Sequence, residues 1–379
     1  MARKRDQSQQ AVETAVRFFL GLPTKARLAV VVLALVAGAI ALAVWVRRDH
    51  PPSPAGPPVP PGAVVFMFWN VENLFDDRDD KRNSIDDKYD NWFAHDPAAR
   101  TLKYDHLAEV ILKENDGKGP DILACVEVES IRAAELLAEA LNAKLPAGVA
   151  RYDHLAMKEL SGNAGRFMAP CVISRLPLDQ SRTKLLGSHN LRVLETHVVA
   201  NGADLCLVAS HWTSQLSDDG TRKGSGRDKY ATTISAEYEA MMAANPDADF
   251  LVCGDFNTTP DSDPVARALR MTADRAAVVS TRTEPRLLGL LSGKSPKEFG
   301  TLTYKNKPLI YDQIGVSPGL LDDAGWGCDP ASVRVPTDGM TRGGTRNPWR
   351  FGDADDNPQG RGYADHFPVV VNLKLAAAP

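Results

Sequence analysis

Short apolar runs alternate with helical patterns from Ala63 onward. Several runs are continuously apolar, which is typical of strands buried on both faces. The predicted strands are Val64–Trp69, Ile122–Val128, Cys171–Ser174, Leu191–Val199, Leu205–Ser210, Phe250–Cys253, Ile310–Val316 and Pro368–Leu373. The predicted helices are Thr101–Lys113, Ile131–Ala143, Asp228–Ala244 and Pro264–Arg270. This order predicts an α/β domain over residues 63–379.

Two stretches show neither the strand nor the helix period. Asp76–Arg100 and the segment from about Leu320 to Gly362 predict long surface loops, which are usually functional in a compact domain. We find no internal repeat and no linker-like break after residue 62. One large domain is therefore expected.

The N-terminus has a different character. Residues 1–27 are basic, and Leu28–Val46 runs for 19 residues without a charge or a proline, long enough to cross a bilayer. The basic segment before the span predicts an uncleaved signal anchor with residues 1–27 cytoplasmic and the rest extracytoplasmic. Arg47 and Arg48 count against this orientation, and Ala41–Ala43 leaves a cleaved signal peptide as the alternative. Residues 47–62 are a proline-rich linker and predict a stiff, extended spacer.

Composition narrows the functional classes. Of 379 residues, 44% are hydrophobic and 24% are charged, which excludes wholesale disorder. Residues 1–62 hold eight Lys/Arg and three Asp/Glu, so residues 63–379 hold 36 against 45 and carry a net charge of −9. Nucleic-acid contact would have to be local or aided by a metal. The five cysteines form no CxxC pair, so we expect buried thiols, neither a disulfide framework nor a zinc site.

Polar residues stand at the ends of the apolar runs. Each one alone could be a turn former or a structural histidine. Together they fall where an α/β sheet presents its ligand crevice. Their oxygen ligands suit Mg²⁺, with Mn²⁺ or Ca²⁺ as alternatives, and a carboxylate beside a histidine can fix its tautomer. The set fits metal-assisted phosphoester hydrolysis. Its members are Asn70, Glu127, His211, Asp255, Asn257, Asp312, Asp365 and His366.

The ordered motifs WNVENLFD, VEVES, ISRLP, SHW, GDFN, YDQI and DHFPV resemble the endonuclease/exonuclease/phosphatase superfamily. The resemblance runs from about residue 64 to residue 374, and its NVENLFD opening looks most like bacterial, often exported, members. It implies a DNase I-like four-layer α/β sandwich, in which two packed mixed β-sheets are flanked by helices. With the N-terminal span, this predicts a membrane-anchored enzyme.

The resemblance also implies roles for the matching metal-side positions. Glu127 matches the principal metal ligand, and Asn70 the first-strand Asn that helps to order the metal and the nucleophile. Asp365 would add a metal contact. Asp255 matches the carboxylate that orients or deprotonates the attacking water.

The remaining positions match phosphate-side groups. His211 matches a histidine that binds the scissile phosphate, and Asn257 an Asn that stabilises it. Asp312 matches the carboxylate partner of the final histidine, His366, which would bind or protonate the phosphate. Arg192 is either a substrate-binding arginine or a surface residue of its strand.

One motif departs from the family pattern. Related bacterial sequences commonly read D-x-R-G-I before the ISRLP strand, whereas Ser161–Phe167 contains no Asp. This departure bears on substrate contacts more than on chemistry. The motif is therefore no guide to the substrate.

The substrate stays open at this point, because the fold serves many phosphoesters. We expect a Mg²⁺-dependent nuclease acting on DNA, with a lipid or small-molecule phosphodiesterase or phosphatase as the alternative and a tethered binding module as the third. Nothing in the sequence indicates a protein partner. Trp92, Phe93 and Trp349 are loop aromatics that would suit either substrate. Basic residues that could line one rim, or else be solvated charges on loops, are Arg222, Lys223, Arg227, Lys229, Arg342, Arg346, Arg350 and Arg361.

Overall fold

The computed structural model describes residues 62–161, 165–188, 191–215, 226–280, 284–322, 324–342 and 346–376, with the isolated positions 23 and 60. The predicted anchor, residues 28–46, lies outside this part of the chain. Within the described residues no helix has the length and apolar character needed to cross a membrane.

The described residues contain fifteen strands and six regular α-helices, besides one irregular helical turn. The strands are β1 (Ala63–Leu74), β2 (Ile122–Val128), β3 (His154–Met157), β4 (Ala169–Ser174), β5 (Lys184–Leu185), β6 (Val193–Ala200), β7 (Ala203–His211), β8 (Asp249–Asp255), β9 (Met271–Thr272), β10 (Leu287–Gly289), β11 (Leu302–Tyr304), β12 (Lys307–Leu309), β13 (Asp312–Val316), β14 (Trp326–Arg334) and β15 (Val369–Leu375). The helices are α1 (Asp87–His95), α2 (Pro97–Leu112), α3 (Ile131–Lys144), α4 (Gly226–Ala244), α5 (Arg275–Ser280) and α6 (Pro296–Phe299). An irregular turn, Glu114–Gly117, follows α2.

The strands form two large mixed sheets. One has six strands in the order β14-β15-β1-β2-β4-β3, and the other has seven in the order β5-β6-β7-β8-β13-β10-β9. β1 is parallel to β2, and β7 is parallel to β8, while β13 and β15 run antiparallel to their neighbours. This arrangement decides which strand ends meet, because an antiparallel strand begins where its neighbours end.

The two sheets pack face to face, and helices cover their outer faces. The central core joins Leu123 of the first sheet to Leu207 of the second, and it also takes in residues of α2 and α3 beside the first sheet. Tyr238 and other residues of α4 pack against the opposite face of the second sheet in a separate core. The predicted α/β fold with two packed mixed sheets and flanking helices is confirmed.

Both predicted long loops contain regular structure. Asp76–Arg100 holds α1, because Trp92 and Phe93 pack against Phe75 and Phe351 in a small third core. The segment from Leu320 to Gly362 holds β14, whose Pro330 and internal Asp masked the strand pattern. β14 is an edge strand with an irregular register between Asp329 and Arg334, where a proline is tolerated. The predicted helix Pro264–Arg270 is a short π-helical turn over Pro264–Ala268.

The first residue of β8 provides a test of the packing around this strand. Burial raises the pKa of Asp249 to about 7, and its carboxylate accepts a hydrogen bond from the Trp326 amide at 2.9 Å. Because the pKa of Asp249 is higher in the folded state than in the unfolded state, the folded state becomes less stable as the pH rises from about 4 to 7. We expect Asp249→Asn to raise the free energy of unfolding at pH 8 by about 1–2 kcal/mol, after allowance for partial exposure.

The same substitution is expected to change nothing near pH 4, where Asp249 is protonated in the folded state. Denaturant unfolding at the two pH values measures the difference. A stabilisation of equal size at both pH values would show that charge is not its cause.

Candidate active site

The carboxyl ends of two parallel strand pairs meet at one end of the sandwich. Asn70 and Glu127 lie near the ends of β1 and β2, and His211 and Asp255 are in register at the ends of β7 and β8. β13 runs antiparallel to β8 and therefore contributes its first residue, Asp312, which pairs with Asp255. Asp365 and His366 lie in the segment before β15. Because β15 runs antiparallel to β1, the start of β15 lies at the same end of the sandwich as the end of β1.

Irregular pairing between β1 and β2 aims Glu127 into this cleft. The register shifts between Asn70 and Leu74, and Glu127 itself has a left-handed backbone with φ of 64°. Such a conformation is costly for a residue with a side chain and is typical of functional sites. The Glu127 carboxylate accepts hydrogen bonds from Asn70 Nδ2 at 3.1 Å and from the Asn73 amide at 3.0 Å.

Asp255 lies at the centre of the cluster and is buried. Its Oδ2 accepts a hydrogen bond from Asn70 Nδ2 at 3.1 Å and lies 3.7 Å from His211 Nε2. Its Oδ1 accepts from the Asn257 amide at 2.9 Å. His211 Nε2 is also 3.8 Å from Glu127 Oε1. The geometry therefore joins the predicted metal-side and phosphate-side residues through Asp255.

Asp312 and His366 form a buried carboxylate–imidazole pair. The two are joined by a 2.7 Å hydrogen bond between His366 Nδ1 and Asp312 Oδ2. A carboxylate in this position holds the proton on Nδ1 and turns Nε2 toward the cleft, where it lies 3.8 Å from Asp255 Oδ2. The Trp69 indole fixes the same segment by donating to the His366 carbonyl at 2.9 Å.

The protonation of these groups follows from their burial and their neighbours. Burial raises the pKa of Asp255 to about 6, and the nearby Asp312 carboxylate adds to the effect. Burial opposes the charged form of His366, but Asp312 and Asp255 together raise its pKa well above the usual value. The cleft thus holds a cationic imidazole beside a carboxylate that binds a proton within reach of neutral pH. Such a pair is suited to proton transfer.

Two further pKa shifts give His211 and Glu127 different charges at neutral pH. Burial and the charge of Arg192 lower the pKa of His211 well below its usual value, so it is neutral at pH 7. Burial opposes ionisation of Glu127, yet His211, Arg166 and the Asn70 hydrogen bond lower its pKa to about 2. Because His211 is neutral, the contributions that persist at neutral pH come from Arg166, the Asn70 hydrogen bond and the cationic His366. Glu127 is therefore an anion under ordinary conditions.

The acidic residues fit a hard divalent cation. Asp365 is exposed to solvent, although many protein atoms surround its carboxylate. Burial and the charges of Glu72 and Glu127 raise its pKa to about 7. Glu72 is already bound to Arg350 at 2.9 Å and to the Phe351 amide at 2.8 Å. Glu127 and Asp365 are left as the oxygen ligands that Mg²⁺ would bind. The predicted metal-side residue Asn70 turns its Nδ2 toward Glu127, and its Oδ1 accepts from the Glu72 amide at 3.1 Å.

The structure places Asn257 and Arg192 at the edge of the cleft. Both donate to the carbonyl of Trp212, Asn257 Nδ2 at 3.0 Å and Arg192 Nη2 at 3.2 Å. Arg192 also acts on His211 through its charge. All nine residues singled out in the sequence thus lie in or beside one cleft, although Asn257 and Arg192 bind backbone in this structure.

Arg166 was missed as a site residue. Its Nη1 donates to Asn73 Oδ1 at 2.6 Å, its Nε bonds to Asp86, and its charge acts on both Glu127 and His211. Nη2 is buried without a hydrogen-bond partner among the described residues. The one indication in the sequence was the position of Arg166 in Ser161–Phe167, the stretch that departs from the D-x-R-G-I pattern of the family.

Lys103 of α2 was also missed. It is completely buried, its Nζ donates to the Tyr363 carbonyl at 2.9 Å, and it lies over the Phe351 ring. Burial lowers its pKa to about 8, against the charges of Glu72, Asp365 and Glu127. A lysine in the middle of an amphipathic helix gave no signal in the sequence.

Several of the predicted rim residues and loop aromatics have structural roles instead. Arg361 is buried and donates to the carbonyls of Phe351 and Asp353. Phe93 is buried in the third core. Arg222 and Lys223 lie outside the described residues.

Arg166 carries a testable prediction. We expect Arg166→Lys to lower kcat/KM for a phosphoester about 10–100-fold, because lysine cannot reproduce the planar fork that reaches Asn73, Asp86 and the cleft. The matched control is Arg175→Lys. Arg166 lies over the Tyr89 ring, and Arg175 likewise lies over the Tyr152 ring and pairs with Asp121 away from the cleft. Steady-state kinetics of the two variants decides the matter, and equal losses would contradict a role for Arg166 in the cleft.

A model of the endonuclease/exonuclease/phosphatase family matches residues 65–375. A search of curated protein sequences gives no match. Similar solved structures include the mannosyl-6-phosphatase Bt3783 of Bacteroides thetaiotaomicron VPI-5482, with 15% identity, a TM-score of 0.48, and coverage of 82% of this chain and 99% of that one. Sphingomyelinase C from Streptomyces griseocarneus has 16% identity and a TM-score of 0.49, with coverage of 82% and 99%. Truncated Caenorhabditis elegans TDP2 has 13% identity and a TM-score of 0.47, with coverage of 83% and 98%.

Proposed function

The chain belongs to the endonuclease/exonuclease/phosphatase family, and from that premise we propose that it is a Mg²⁺-dependent phosphodiesterase that cleaves DNA. Family membership makes phosphoester hydrolysis the reaction class. The observation that carries the proposal is the Asp312–His366 pair, 2.7 Å apart, which aims an imidazole at Asp255 in the same cleft as Glu127.

In the proposed reaction Asp255 orients the attacking water and accepts its proton. Asn70 Nδ2 and the Asn257 amide hold the Asp255 carboxylate from two sides, so it is fixed before substrate arrives. The water oxygen forms a bond to phosphorus, the bond from phosphorus to the leaving oxygen breaks, and the leaving oxygen takes up a proton from solvent. His366, protonated and held by Asp312, stabilises the charge that develops on the phosphoryl group.

A divalent ion held by Glu127 and Asp365, with Asn70 beside them, would polarise the phosphoryl oxygen and offset the negative charge of the transition state. His211 is positioned to donate a hydrogen bond to a phosphate oxygen, because its Nε2 faces both Glu127 and Asp255. Arg166 supplies a fixed positive charge on the same side. The chain's own residues thus bind and orient a phosphodiester.

Access from solvent is supported by Asp365, which is exposed, so a substrate phosphate can reach this side of the site. The net charge of −9 outside residues 1–62 makes unaided binding of DNA unfavourable, and the ion and Arg166 provide local compensation.

The test of substrate class uses the full chain with Mg²⁺ on plasmid DNA, sphingomyelin and inositol phosphates in parallel. We expect DNA to be cleaved with the highest kcat/KM. Turnover of sphingomyelin or of inositol phosphates without DNA cleavage would move the substrate to lipids or small phosphoesters and reject the nuclease.

We also propose that residues 28–46 anchor the chain in a membrane, with the catalytic part outside the cytoplasm. The uncharged 19-residue run and the basic segment before it support this proposal. A reporter that is active only in an oxidising compartment, fused after residue 379, should be active. A silent reporter on a stable fusion would reject the orientation.

A further inference from the structure

A second cluster of metal-ligating side chains lies on the seven-stranded sheet. Glu195 and His197 are two residues apart on β6, so their side chains share one face of the sheet. Cys206 of β7 pairs directly with His197. All three side chains are buried, and one ligand atom from each lies within 4.8 Å of the others.

The local sequence dictates this arrangement. β6 and β7 are joined by Asn201 and Gly202, which have φ of 51° and 80°, as a type I′ turn requires. A two-residue turn sets Ala200 opposite Ala203, and the same register sets His197 opposite Cys206. A change of one residue in the length of the turn would move Cys206 away from Glu195 and His197.

The neighbours of His197 orient it as metal-bound histidines are oriented. His197 Nδ1 lies 3.0 Å from Asp204 Oδ1, so the carboxylate holds the proton on Nδ1. When His197 is neutral, with its proton on Nδ1, its Nε2 presents a lone pair toward Glu195 Oε1, which lies 3.5 Å away. Two lone pairs facing each other in a buried site are repulsive unless a cation or a proton lies between them.

One carboxylate oxygen of Glu195 is free to bind a ligand. Its Oε1 contacts Lys184 Nζ at 3.2 Å, whereas its Oε2 is buried without a hydrogen-bond partner among the described residues. Glu195 is only 3% exposed, and a buried unsatisfied carboxylate oxygen is costly. A metal ion is one of the few groups that would satisfy it.

Carboxylates outnumber cations around the cluster. Lys184 bridges Glu195 and Glu237, and Arg182 bridges Asp179 and Asp204. Two cations therefore face four carboxylates, which leaves a deficit of two positive charges while His197 is neutral. A divalent ion that displaces the Cys206 proton adds one net positive charge.

We propose that Glu195, His197 and Cys206 form a second metal site, for a thiophilic divalent ion of the zinc class. The ion would bond to the Cys206 sulfur as the thiol releases its proton to solvent, to His197 Nε2 and to a Glu195 oxygen. Three ligands of this kind leave the fourth position of a tetrahedral ion open. The site ties β6 to β7 on the face that carries α4.

This site is separate from the phosphoesterase cleft. Cys206 is five residues before His211 on β7, which is about 16 Å along the strand, and the odd spacing puts the two side chains on opposite faces. The ligand types also differ, because magnesium does not favour a thiolate. The absence of cysteine pairs argued against zinc, but the hairpin supplies a cysteine from one strand and its partners from the other.

Cobalt(II) provides the direct test, because a thiolate bonded to it gives a charge-transfer band in the near ultraviolet. The full chain is stripped with EDTA and then given excess Mg²⁺ to supply the catalytic cleft before Co²⁺ is added. We expect the band to saturate at one equivalent of Co²⁺ and to disappear when Zn²⁺ is added. A folded wild-type protein that shows no such band overturns the proposal.

Variants assign the band to the site. Cys206→Ala should abolish it, and Cys253→Ala, which removes another fully buried thiol from the adjacent strand, should keep it. Asp204→Asn should weaken Co²⁺ binding about 10–100-fold. This second variant tests the site even if Cys206→Ala fails to fold. A band that survives in folded Cys206→Ala, or unchanged affinity in Asp204→Asn, contradicts the assignment.

Discussion

Asp255→Asn is expected to lower the rate of phosphodiester hydrolysis about 10²–10⁴-fold while the protein remains folded. The amide cannot accept the proton of the attacking water, and it loses the charge that faces His366. It keeps the shape of the carboxylate and one oxygen for the amide of Asn257. The measurement is kcat under saturating Mg²⁺, with circular dichroism as a check of the fold.

The same strand offers a matched control. Asp249 is the first residue of β8 and Asp255 the last, so Asp249→Asn makes the identical chemical change at the far end of the strand. It should leave kcat unaffected. A rate for Asp255→Asn within a factor of a few of the Asp249→Asn rate would show that Asp255 does not act on the water.

Glu127→Gln should have the next largest effect. It removes one of the two carboxylates assigned to the ion and leaves the Asn70 and Asn73 donors facing a neutral amide. We expect the Mg²⁺ concentration for half-maximal rate to rise more than about tenfold and kcat/KM to fall about 10²–10³-fold, since Lewis-acid stabilisation is worth several kcal/mol.

Glu129→Gln, two residues along the chain, is the control for this change. Glu129 is buried and pairs with Arg82, so the substitution affects packing but not the cleft. Its Mg²⁺ dependence should match that of the wild type. Equal Mg²⁺ requirements for Glu127→Gln and the wild type would contradict the assignment of Glu127 as a ligand.

The sequence predicted the sheets well because most of their strands are buried and continuously apolar. Phe250–Cys253 lies in β8 and Leu205–Ser210 in β7, with ends misplaced by only a few residues. β14 was not predicted because Gly327, Asp329 and Pro330 are typical of turns. A strand tolerates these residues here because β14 lies at the edge of its sheet. α1 escaped because its apolar residues pack in a small separate core.

The cleft could be foreseen because polar residues that follow buried strands share one edge of a sheet. The residues that were missed depend on tertiary contacts. Lys103 is buried in α2 and donates to the Tyr363 carbonyl, which the sequence pattern of the helix does not indicate, and Arg166 lies in a stretch that departs from the family motif. Glu195, His197 and Cys206 become neighbours only once the hairpin register is known.

The most direct test of the account is a Mg²⁺ titration of plasmid DNA nicking by the full-length protein, with EDTA and Asp255→Asn alongside. We predict saturable nicking that requires Mg²⁺ and falls by at least about 100-fold in Asp255→Asn. Nicking that persists in EDTA or in Asp255→Asn, or DNA that stays intact under conditions in which another phosphoester is hydrolysed, would contradict the proposed metal-dependent nuclease.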